Sequence, residues 1–543
     1  MTLVPASLRN YRRVWLRQDA LAGLVVWSVV VPQAVAYAQI AGLRPEAGLV
    51  AAPGAMLGYA LLGTSRTLVV SATSATAAVS ASTVGPLANG DAARFAALSA
   101  ALALIAAVVL AAAGALRLGG VSDLISKPVL TGFLFGLGLT IAVGQLPKLL
   151  GVDGGSGDFF EKAWSIVRDL GSTHWATAAV GATSVAFLVV VRRVAPALPA
   201  SLLLLIGAIA VSSALGLSGH GVDVVGKLPR ALPDPAVPDV SSGDLGDLLA
   251  GALAVALVGY AEAISVARGS ATAGGFTIKP SRELFALGGA NALAGVSQGF
   301  VQSGGASQTV AAEGAGARSQ VACLVAAAGV LLTGAFLTGL FKELPQATLG
   351  AIVVVAVTGF FRVGELRRFA QVRRSAIVIS LTALIGVLAL GVLPGLLVAV
   401  GLSLIVVIQR LSRPSVGGLA RDPASGAWGR ADRHSDWEAP EDIVVARVDG
   451  PLFYANAASV KERLLDLAHA PRNRPRALVL DLGESPDLDV ETLDMLDELT
   501  AALATEGIEL RLASVRSRAR ELLTRTGLAT RLRMEPTLDR ALT

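Results

Sequence analysis

The polar residues with the clearest chemical potential lie at 298–320, between two long apolar segments. A pair of glycines there precedes Ser307-Gln308-Thr309. A membrane span needs about 20 apolar residues, and this stretch does not supply them. Irregular backbone at membrane depth occurs only where it is buried in protein or lines a cavity. We therefore predict an extended segment followed by a half-helix that begins near Ser307, whose free N–H groups favour an anion.

A second stretch of the same character lies far upstream, at residues 63–85, and is rich in serine and threonine. Two interrupted segments in corresponding halves of a membrane protein are the best sequence indication of a transporter's substrate site. The remaining elements would then hold these two segments facing each other.

Glu262 is an acidic residue deep inside a predicted span. A carboxylate at membrane depth is costly, so an intramembrane acid is by default a functional hypothesis. We predict that Glu262 takes up and releases a proton during a transport cycle. The alternatives are a structural pair with Arg268 or a position in a cytoplasmic cavity.

The composition identifies a polytopic membrane protein. Of 543 residues, 53% are hydrophobic and 16% charged, whereas soluble proteins carry about 25% charged residues. The net charge of +5 comes from basic residues between spans, as the positive-inside rule requires. No basic stripe with interleaved aromatic residues suggests nucleic-acid binding.

With one cysteine, Cys323, and four scattered histidines, we expect no disulfide, metal or cofactor, and no catalytic residues of an enzyme.

Apolar runs predict fourteen membrane segments. Their approximate bounds are 20–39, 47–62, 67–84, 93–115, 122–146, 174–192, 197–217, 246–267, 283–298, 303–317, 319–340, 346–361, 375–392 and 394–411. Basic residues fall in the loops on one side and acidic residues on the other, so both termini are expected in the cytoplasm. Fourteen divides into seven plus seven, and the broken segments are then the third member of each half, as an inverted repeat requires.

The two ends of the chain differ from this pattern. Residues 1–18 are basic and amphipathic and predict a cytoplasmic N-terminal segment, ahead of a transporter domain at 19–413 with repeats at about 19–217 and 246–413. Residues 414–441 are a predicted polar linker. At 442–543 strand and helix patterns alternate, which predicts a small cytoplasmic α/β domain.

Several motifs, in order along the chain, resemble the SulP family, the bacterial relatives of the SLC26 anion transporters. Near the N-terminus they are Pro32-Gln33-Ala34-Val35-Ala36-Tyr37-Ala38 and Gly63-Thr64-Ser65-Arg66. In the second half they are Ser307-Gln308-Thr309 and Ala315-Gly316-Ala317-Arg318. The tail resembles a STAS domain through Gly450-Pro451-Leu452-Phe453-Tyr454-Ala455-Asn456.

The resemblance implies a 7+7 inverted repeat divided into core and gate, a homodimer, and an anion site between the third and tenth spans. Carried over by position, the substrate-binding residues are Gln33, Tyr37, Thr73, Gly305, Ala306, Ser307 and Gln308. Glu262 matches the acid that family members place beside the substrate. Gln308 stands where many relatives have arginine, which weakens the field on an anion.

We therefore expect a secondary active transporter in the cytoplasmic (inner) membrane that imports an inorganic oxyanion, with sulfate first. Coupling through Glu262 would use protons rather than Na⁺. Alternatives are a bicarbonate or C4-dicarboxylate transporter, an uncoupled anion channel, or a regulatory protein whose STAS domain binds a cytoplasmic partner. In the tail, Asp489 is followed by Val490 rather than a serine, so we expect no phosphorylation switch there.

Overall fold

A computed structural model describes residues 11–120, 126–155, 157–195, 198–470 and 473–543. The chain divides into two compact units, Met1–Ser403 and Leu404–Thr543. Most of the predicted N-terminal segment, residues 1–10, lies outside the described residues, as do the start of the predicted span at 122 and residue 197. From Arg13 a short 3₁₀ turn leads into the first helix.

The first unit is helical, because helices satisfy their own backbone hydrogen bonds where lipid cannot. Its helices in the first half are α1 (Leu16–Ile40), α2 (Glu46–Leu62), α3 (Ser74–Ala88), α4 (Ala92–Ala115), α5 (Lys127–Leu150), α6 (Phe159–Arg168), α7 (Trp175–Val194) and α8 (Ala200–Leu215). The second half contains α9 (Ser242–Gly274), α10 (Pro280–Val296), α11 (Ala306–Gly314), α12 (Val321–Leu332), α13 (Gln346–Val357), α14 (Val363–Val372), α15 (Arg374–Leu390) and α16 (Val392–Ser412), which continues into the second unit.

Within the described residues, eight helices are long and apolar enough to cross a membrane, and three shorter apolar helices accompany them. The chain is thus a multi-pass membrane protein, while the number fourteen stays a prediction. The eight long segments are Arg13–Ile40, Ala92–Ala115, Lys127–Leu150, Trp175–Val194, Ser242–Thr272, Val321–Glu343, Gln346–Val372 and Pro394–Ser412.

Small residues let these helices approach closely, as is usual in membranes. A Cβ atom added at Gly48 would lie 1.9 Å from the carbonyl oxygen of Ala34, so α2 packs directly on the backbone of α1. A Cβ at Gly132 would lie equally close, 1.9 Å from the carbonyl oxygen of Ser380 on α15. Larger side chains at either glycine would force these helices apart.

The two interrupted segments have the predicted form. Each has an extended stretch before its half-helix: β1 (Val70–Ser71) precedes α3, and β2 (Ser303–Gly304) precedes α11. The two short strands pair antiparallel, with Val70 opposite Gly304 and Ser71 opposite Ser303. The prediction of broken spans at these positions is confirmed.

The second unit contains a six-stranded sheet with helices, as predicted for an α/β domain. The strands are β3 (Ser415–Arg421), β4 (Trp428–Arg430), β5 (Ile443–Asp449), β6 (Ala477–Asp481), β7 (Glu509–Ala513) and β8 (Arg533–Glu535), and the sheet order is β4-β3-β5-β6-β7-β8. Strands β5 to β8 are parallel to one another. The helices are α17 (Ala457–His469), α18 (Val490–Thr505), α19 (Ser517–Arg525) and α20 (Leu538–Leu542).

The prediction of a linker at residues 414–441 is wrong for two parts of it. Residues 415–421 form β3 and residues 428–430 form β4, and β3 pairs antiparallel with β5. Glycine-rich Ser-Val-Gly-Gly-Leu-Ala-Arg has weak strand propensity, so the ladder to β5 and the burial of Val416 and Leu419 stabilise this strand instead.

Candidate functional site

Two helix N-termini meet at the centre of the first unit. Thr73 caps α3 in an extended conformation and its hydroxyl oxygen accepts from the Thr76 N–H at 3.4 Å. Gly305 caps α11, also in an extended conformation and without a side chain. The first N–H groups of a helix have no intrahelical partner, and the macrodipole makes this end positive. The pair of helix starts therefore offers backbone donors and a positive field.

Backbone hydrogen bonds hold these two helix starts side by side. The Gly305 N–H donates to the Val69 carbonyl at 2.9 Å. The Val69 N–H donates to the Thr309 hydroxyl at 3.1 Å. Together with the pairing of β1 and β2, these bonds join segments that lie more than two hundred residues apart in sequence.

Gln308 cross-links three elements of the site. Its Oε1 accepts from the Ser71 hydroxyl at 2.7 Å, and its Nε2 donates to Gln33 Oε1 at 2.8 Å and to the Ala72 carbonyl at 3.3 Å. The side chain is fully buried. Both ends of the amide are therefore occupied in holding α1, β1 and α11 together.

Gln33 and Ser307 lie beside Gln308 and are hydrogen-bonded to each other. Gln33 lies on α1 directly after Pro32, which leaves a helix carbonyl without its usual donor. Its Nε2 donates to Ser307 Oγ at 3.3 Å. Ala306 and Ser307 are exposed in the first turn of α11, and the Ser307 hydroxyl also lies 3.5 Å from Gln33 Oε1.

Glu262 on α9 reaches the same place. Thr73 donates its hydroxyl hydrogen to Glu262 Oε2 at 3.0 Å. The Glu262 side chain is half-buried, whereas Thr73 is buried. The predicted coupling acid is thus in direct contact with the residue that caps one of the two half-helices.

The structure brings six predicted residues into one continuous cluster: Gln33, Thr73, Glu262, Gly305, Ser307 and Gln308. Ala306 adjoins it as the first residue of α11. Tyr37 lies one turn along α1 from Gln33, and it is buried in an apolar cluster with Val70, Ala72 and Ala256. Tyr37 therefore contributes to apolar packing in the first unit.

Asn291 on α10 positions the extended segment before α11. Its Oδ1 accepts from the Gln302 N–H at 2.8 Å, and its Nδ2 donates to the Gln302 carbonyl at 3.0 Å. Asn291 therefore bonds to extended backbone, and its amide nitrogen also donates to the Leu287 carbonyl of its own helix at 2.9 Å. An amide side chain supplies both donors and an acceptor, so it can match the two backbone groups of a single extended residue.

Glu283 is a buried acid that the sequence analysis did not single out. Its carboxylate accepts from the Tyr59 hydroxyl at 2.5 Å, from the Thr64 N–H at 2.8 Å and from the Thr64 hydroxyl. It anchors the loop before the first broken segment. The sequence signal was weaker than for Glu262, because Glu283 begins its predicted span and Glu262 lies deep inside one.

Comparison with known proteins identifies the family of this chain. The family model described as the sulfate permease family matches residues 16–383, and the STAS domain model matches residues 435–541. The chain belongs to the sulfate permease family. Membership places it among transporters rather than enzymes.

Relatives match this chain over nearly its whole length. A protein named "Probable sulfate transporter Rv1739c" from Mycobacterium tuberculosis is 35% identical over 517 residues, which is 95% of this chain and 92% of the relative. "Low affinity sulfate transporter 3" from Stylosanthes hamata is 27% identical over 545 residues, which is 94% of this chain and 84% of the relative.

Solved structures show the same fold. The murine Solute Carrier 26 family member A9 anion transporter in the inward-facing state matches with a TM-score of 0.90 at 22% identity, covering 99% of this chain and 93% of that one. The transmembrane domain of a cyanobacterium bicarbonate transporter, BicA, matches with a TM-score of 0.62 at 19% identity, covering 72% of this chain and 98% of that one.

Proposed function

We propose that the protein is a secondary active transporter that imports an inorganic oxyanion, sulfate first, together with protons. The observation that carries this proposal is the meeting of the α3 and α11 N-termini beside Glu262. Full-length relatives named as sulfate transporters support sulfate as the first substrate to test.

The site would bind an anion with neutral donors. Ala306 and Ser307 are exposed at the start of α11, and the Ser307 hydroxyl lies beside Gln33. Helix N-termini bind sulfate and phosphate through such groups. Gln308 in place of the arginine of many relatives leaves hydroxyl, amide and backbone donors to do the binding.

Proton coupling follows from the single hydrogen of the Thr73 hydroxyl. A hydroxyl group has one donor and two acceptor positions, and Thr73 now donates to Glu262. An ionised Glu262 would both repel a bound anion and occupy this donor. A protonated Glu262 can donate to Thr73 instead, which frees the Thr73 hydrogen for the anion. Proton and anion would therefore load together.

The wider arrangement belongs to the same proposal. We infer a homodimer in the cytoplasmic membrane, with both termini in the cytoplasm and domains bounded near residues 18 and 413. The recognised STAS domain would face the cytoplasm and could there bind a protein partner.

Uptake of radiolabelled anion into proteoliposomes tests the proposal. Sulfate, bicarbonate and fumarate are each supplied with and without an inward proton gradient, to the wild-type protein and to Glu262→Gln. We expect the gradient to stimulate sulfate uptake in the wild type and to have no effect in the variant. If the gradient stimulated uptake of bicarbonate or of fumarate but not of sulfate, that anion would be the substrate in place of sulfate.

A matched control is Glu313→Gln, which neutralises another carboxyl in a broken segment. Glu313 accepts a hydrogen bond from the Thr67 hydroxyl at 2.8 Å and does not contact Thr73 in the described structure. We expect this variant to keep gradient-stimulated uptake. Loss of stimulation in Glu313→Gln, with stimulation intact in Glu262→Gln, would contradict the role given to Glu262.

A further inference from the structure

A polar cavity lies in the first unit, and the residues that line it do not include those of the Ser307 site. Its volume is about 660 Å³. It is formed where α1 and α5 end and where α2, α7 and α13 begin, and its polar lining includes Gln39, Lys148, Thr177 and Gln346. Gln39 follows Gln33 by six residues on α1, which corresponds to about 9 Å along the helix axis. The cavity therefore lies next to the proposed substrate site, along α1.

Hydrogen bonds in this cavity form a chain with a fixed direction. Lys148 Nζ donates to Gln39 Oε1 at 3.0 Å, and Gln39 Nε2 donates to Gln346 Oε1 at 3.0 Å. Lysine has only donors, so Gln39 must turn its oxygen towards Lys148 and its amide nitrogen towards Gln346. The chain consequently ends in donors at both ends: the remaining hydrogens of the Lys148 ammonium group and the amide nitrogen of Gln346.

Lys148 is not needed to cap its own helix. A lysine in the last turn of a helix can stabilise the free carbonyl groups there. In α5, however, Gly151 adopts the left-handed conformation, and the N–H groups of Gly151 and Val152 donate to the Pro147 carbonyl at 2.8 and 3.2 Å. The Lys148 ammonium group instead reaches across to α1.

The cavity contains a basic side chain that has hydrogens to offer a ligand. Two charged residues line it, Lys148 and Asp223. The Asp223 side chain is exposed, and none of the described ion pairs joins it to Lys148. The Asp223 carbonyl oxygen accepts from the Gln346 N–H at 2.8 Å. A cation with free hydrogens inside a cavity needs an acceptor, and an oxyanion supplies several.

We infer that this cavity is a second anion-binding site, which receives an inorganic oxyanion on the side of the membrane opposite the basic loops and precedes the Ser307 site. The inference rests on the proposed transport function. The loops predicted on that side are acidic or neutral, so Lys148 would compensate for their repulsion of an anion. An oxyanion bound there would accept hydrogen bonds from Lys148 and Gln346 at once.

Uptake kinetics test this assignment. Proton-driven sulfate uptake into proteoliposomes is measured against sulfate concentration for Lys148→Gln, Lys148→Arg, Asp223→Asn and the wild type. We expect the KM of Lys148→Gln to rise about tenfold, the size of one charge-assisted hydrogen bond. Lys148→Arg should stay close to the wild type, and Asp223→Asn should lower the KM. A wild-type KM in Lys148→Gln would overturn the inference.

The matched control is Lys227→Gln. Lys227 is exposed in the loop between α8 and α9, which is predicted on the same side of the membrane, and it does not line the cavity. Lys227→Gln removes the same charge as Lys148→Gln. An unchanged KM in Lys227→Gln would therefore assign the effect of Lys148→Gln to the cavity. An equal rise in KM for both variants would indicate surface potential alone and would contradict a site.

Acylation of lysines separates this inference from the transport proposal. The detergent-solubilised full-length protein is treated with an amine-acylating reagent, with and without sulfate at constant ionic strength, and labelling is read by mass spectrometry. We expect sulfate to slow labelling of Lys148 and not of Lys227, in the wild type and in Gln308→Ala alike. Equal labelling of Lys148 with and without sulfate, or protection that disappears in Gln308→Ala, would overturn a separate site. Absence of wild-type uptake would count against the transport proposal, while the labelling would still decide the cavity.

Discussion

Thr73 is the residue at which the two proposed tasks of the site meet. It caps α3, and it donates to Glu262. Its hydroxyl therefore links the helix end that would attract the anion to the group that would carry the proton.

Thr73→Val should lose both links, because valine keeps the shape but has no hydroxyl. Loss of a helix N-cap costs about 1 kcal/mol, and a hydrogen bond to a charged group contributes about 1.5–3 kcal/mol. We expect sulfate uptake to fall at least about tenfold, measured as the initial rate with a proton gradient. Thr73→Ser should restore uptake, and a Thr73→Val protein as active as the wild type would contradict this role.

The sequence identified Thr73, Ser307 and Glu262 as candidates but not how they connect. Helical spacing relates residues three or four apart, and the motifs located the broken segments. Ser71 and Gln308, which share a 2.7 Å hydrogen bond, lie 237 residues apart. No local pattern encodes such a pair, because the partner depends on the packing of two halves of the chain.

At the scale of elements, α10 acts as a support for the broken segment that follows it. Asn291 satisfies both backbone groups of Gln302 within the protein interior. The extended backbone there has no helix to satisfy it, so the support is needed at membrane depth.

Asn291→Ala should destabilise the transporter domain by about 2–4 kcal/mol, because it leaves a buried N–H and a buried carbonyl without partners. Thermal unfolding of the detergent-solubilised protein can be followed through Cys323, the single cysteine, which is buried and becomes reactive on unfolding. We expect an unfolding midpoint lower by about 5 °C or more.

Ser297→Ala is the control for Asn291→Ala. Ser297 donates to the Leu293 carbonyl of its own helix at 2.8 Å, and that carbonyl also accepts from a backbone N–H. We expect its midpoint to stay near that of the wild type. A similar loss in both variants would show that α10 is sensitive to any change and that Asn291 has no particular role.

In the STAS domain the start of α18 should respond to pH. Partial burial alone would raise the pKa of Asp489, but hydrogen bonds from Thr492 and from the Tyr454 N–H outweigh it and lower the pKa. A lowered pKa in the folded state adds stability above the unfolded pKa of about 3.9 and loses it as the pH falls further.

We therefore expect hydrogen-exchange protection of the first turn of α18 in the full-length protein to fall as the pH drops from about 6 to about 3. Asp489→Asn keeps a capping side chain without a titrating group, so its protection factors should not follow pH in this way. A wild type whose protection is independent of pH over this range would refute the assignment.

Helix α6 and strand β3 are elements that the sequence analysis missed. Helix α6 was included in a loop, although Asp158 and Glu161 form a capping box at its start, a spacing that is visible in the sequence. Strand β3 was taken for a linker, because its residues give no alternation strong enough to identify it. Its pairing with β5 depends on a neighbouring strand, which local propensity does not reveal.

On the scale of the whole molecule, the orientation of the spans in the membrane follows from charge alone. Basic residues are predicted on the cytoplasmic side and acidic residues on the other. The single buried cysteine makes this simple to examine, because the wild-type background of thiol labelling should be low.

Cysteines placed at Asp91 and at Arg117 should lie on opposite sides of the membrane. Both residues are exposed and flank α4, one at each end. In intact cells, a membrane-impermeant thiol reagent should label Asp91→Cys and should label Arg117→Cys only after permeabilisation. The reverse pattern would invert the proposed topology, and labelling of both in intact cells would show that α4 does not span the membrane.

The strand pair between Val70–Ser71 and Ser303–Gly304 has a consequence for how access can alternate. The two half-helix starts are tied by backbone hydrogen bonds that cannot be broken at membrane depth without leaving polar groups unsatisfied. A carrier built in this way cannot release its cargo by pulling the two halves of its binding site apart. The two half-helices would instead move together as one rigid body, with the binding site intact, relative to the surrounding helices. The intrinsic dissociation constant of the anion should then be the same whichever face of the membrane is open.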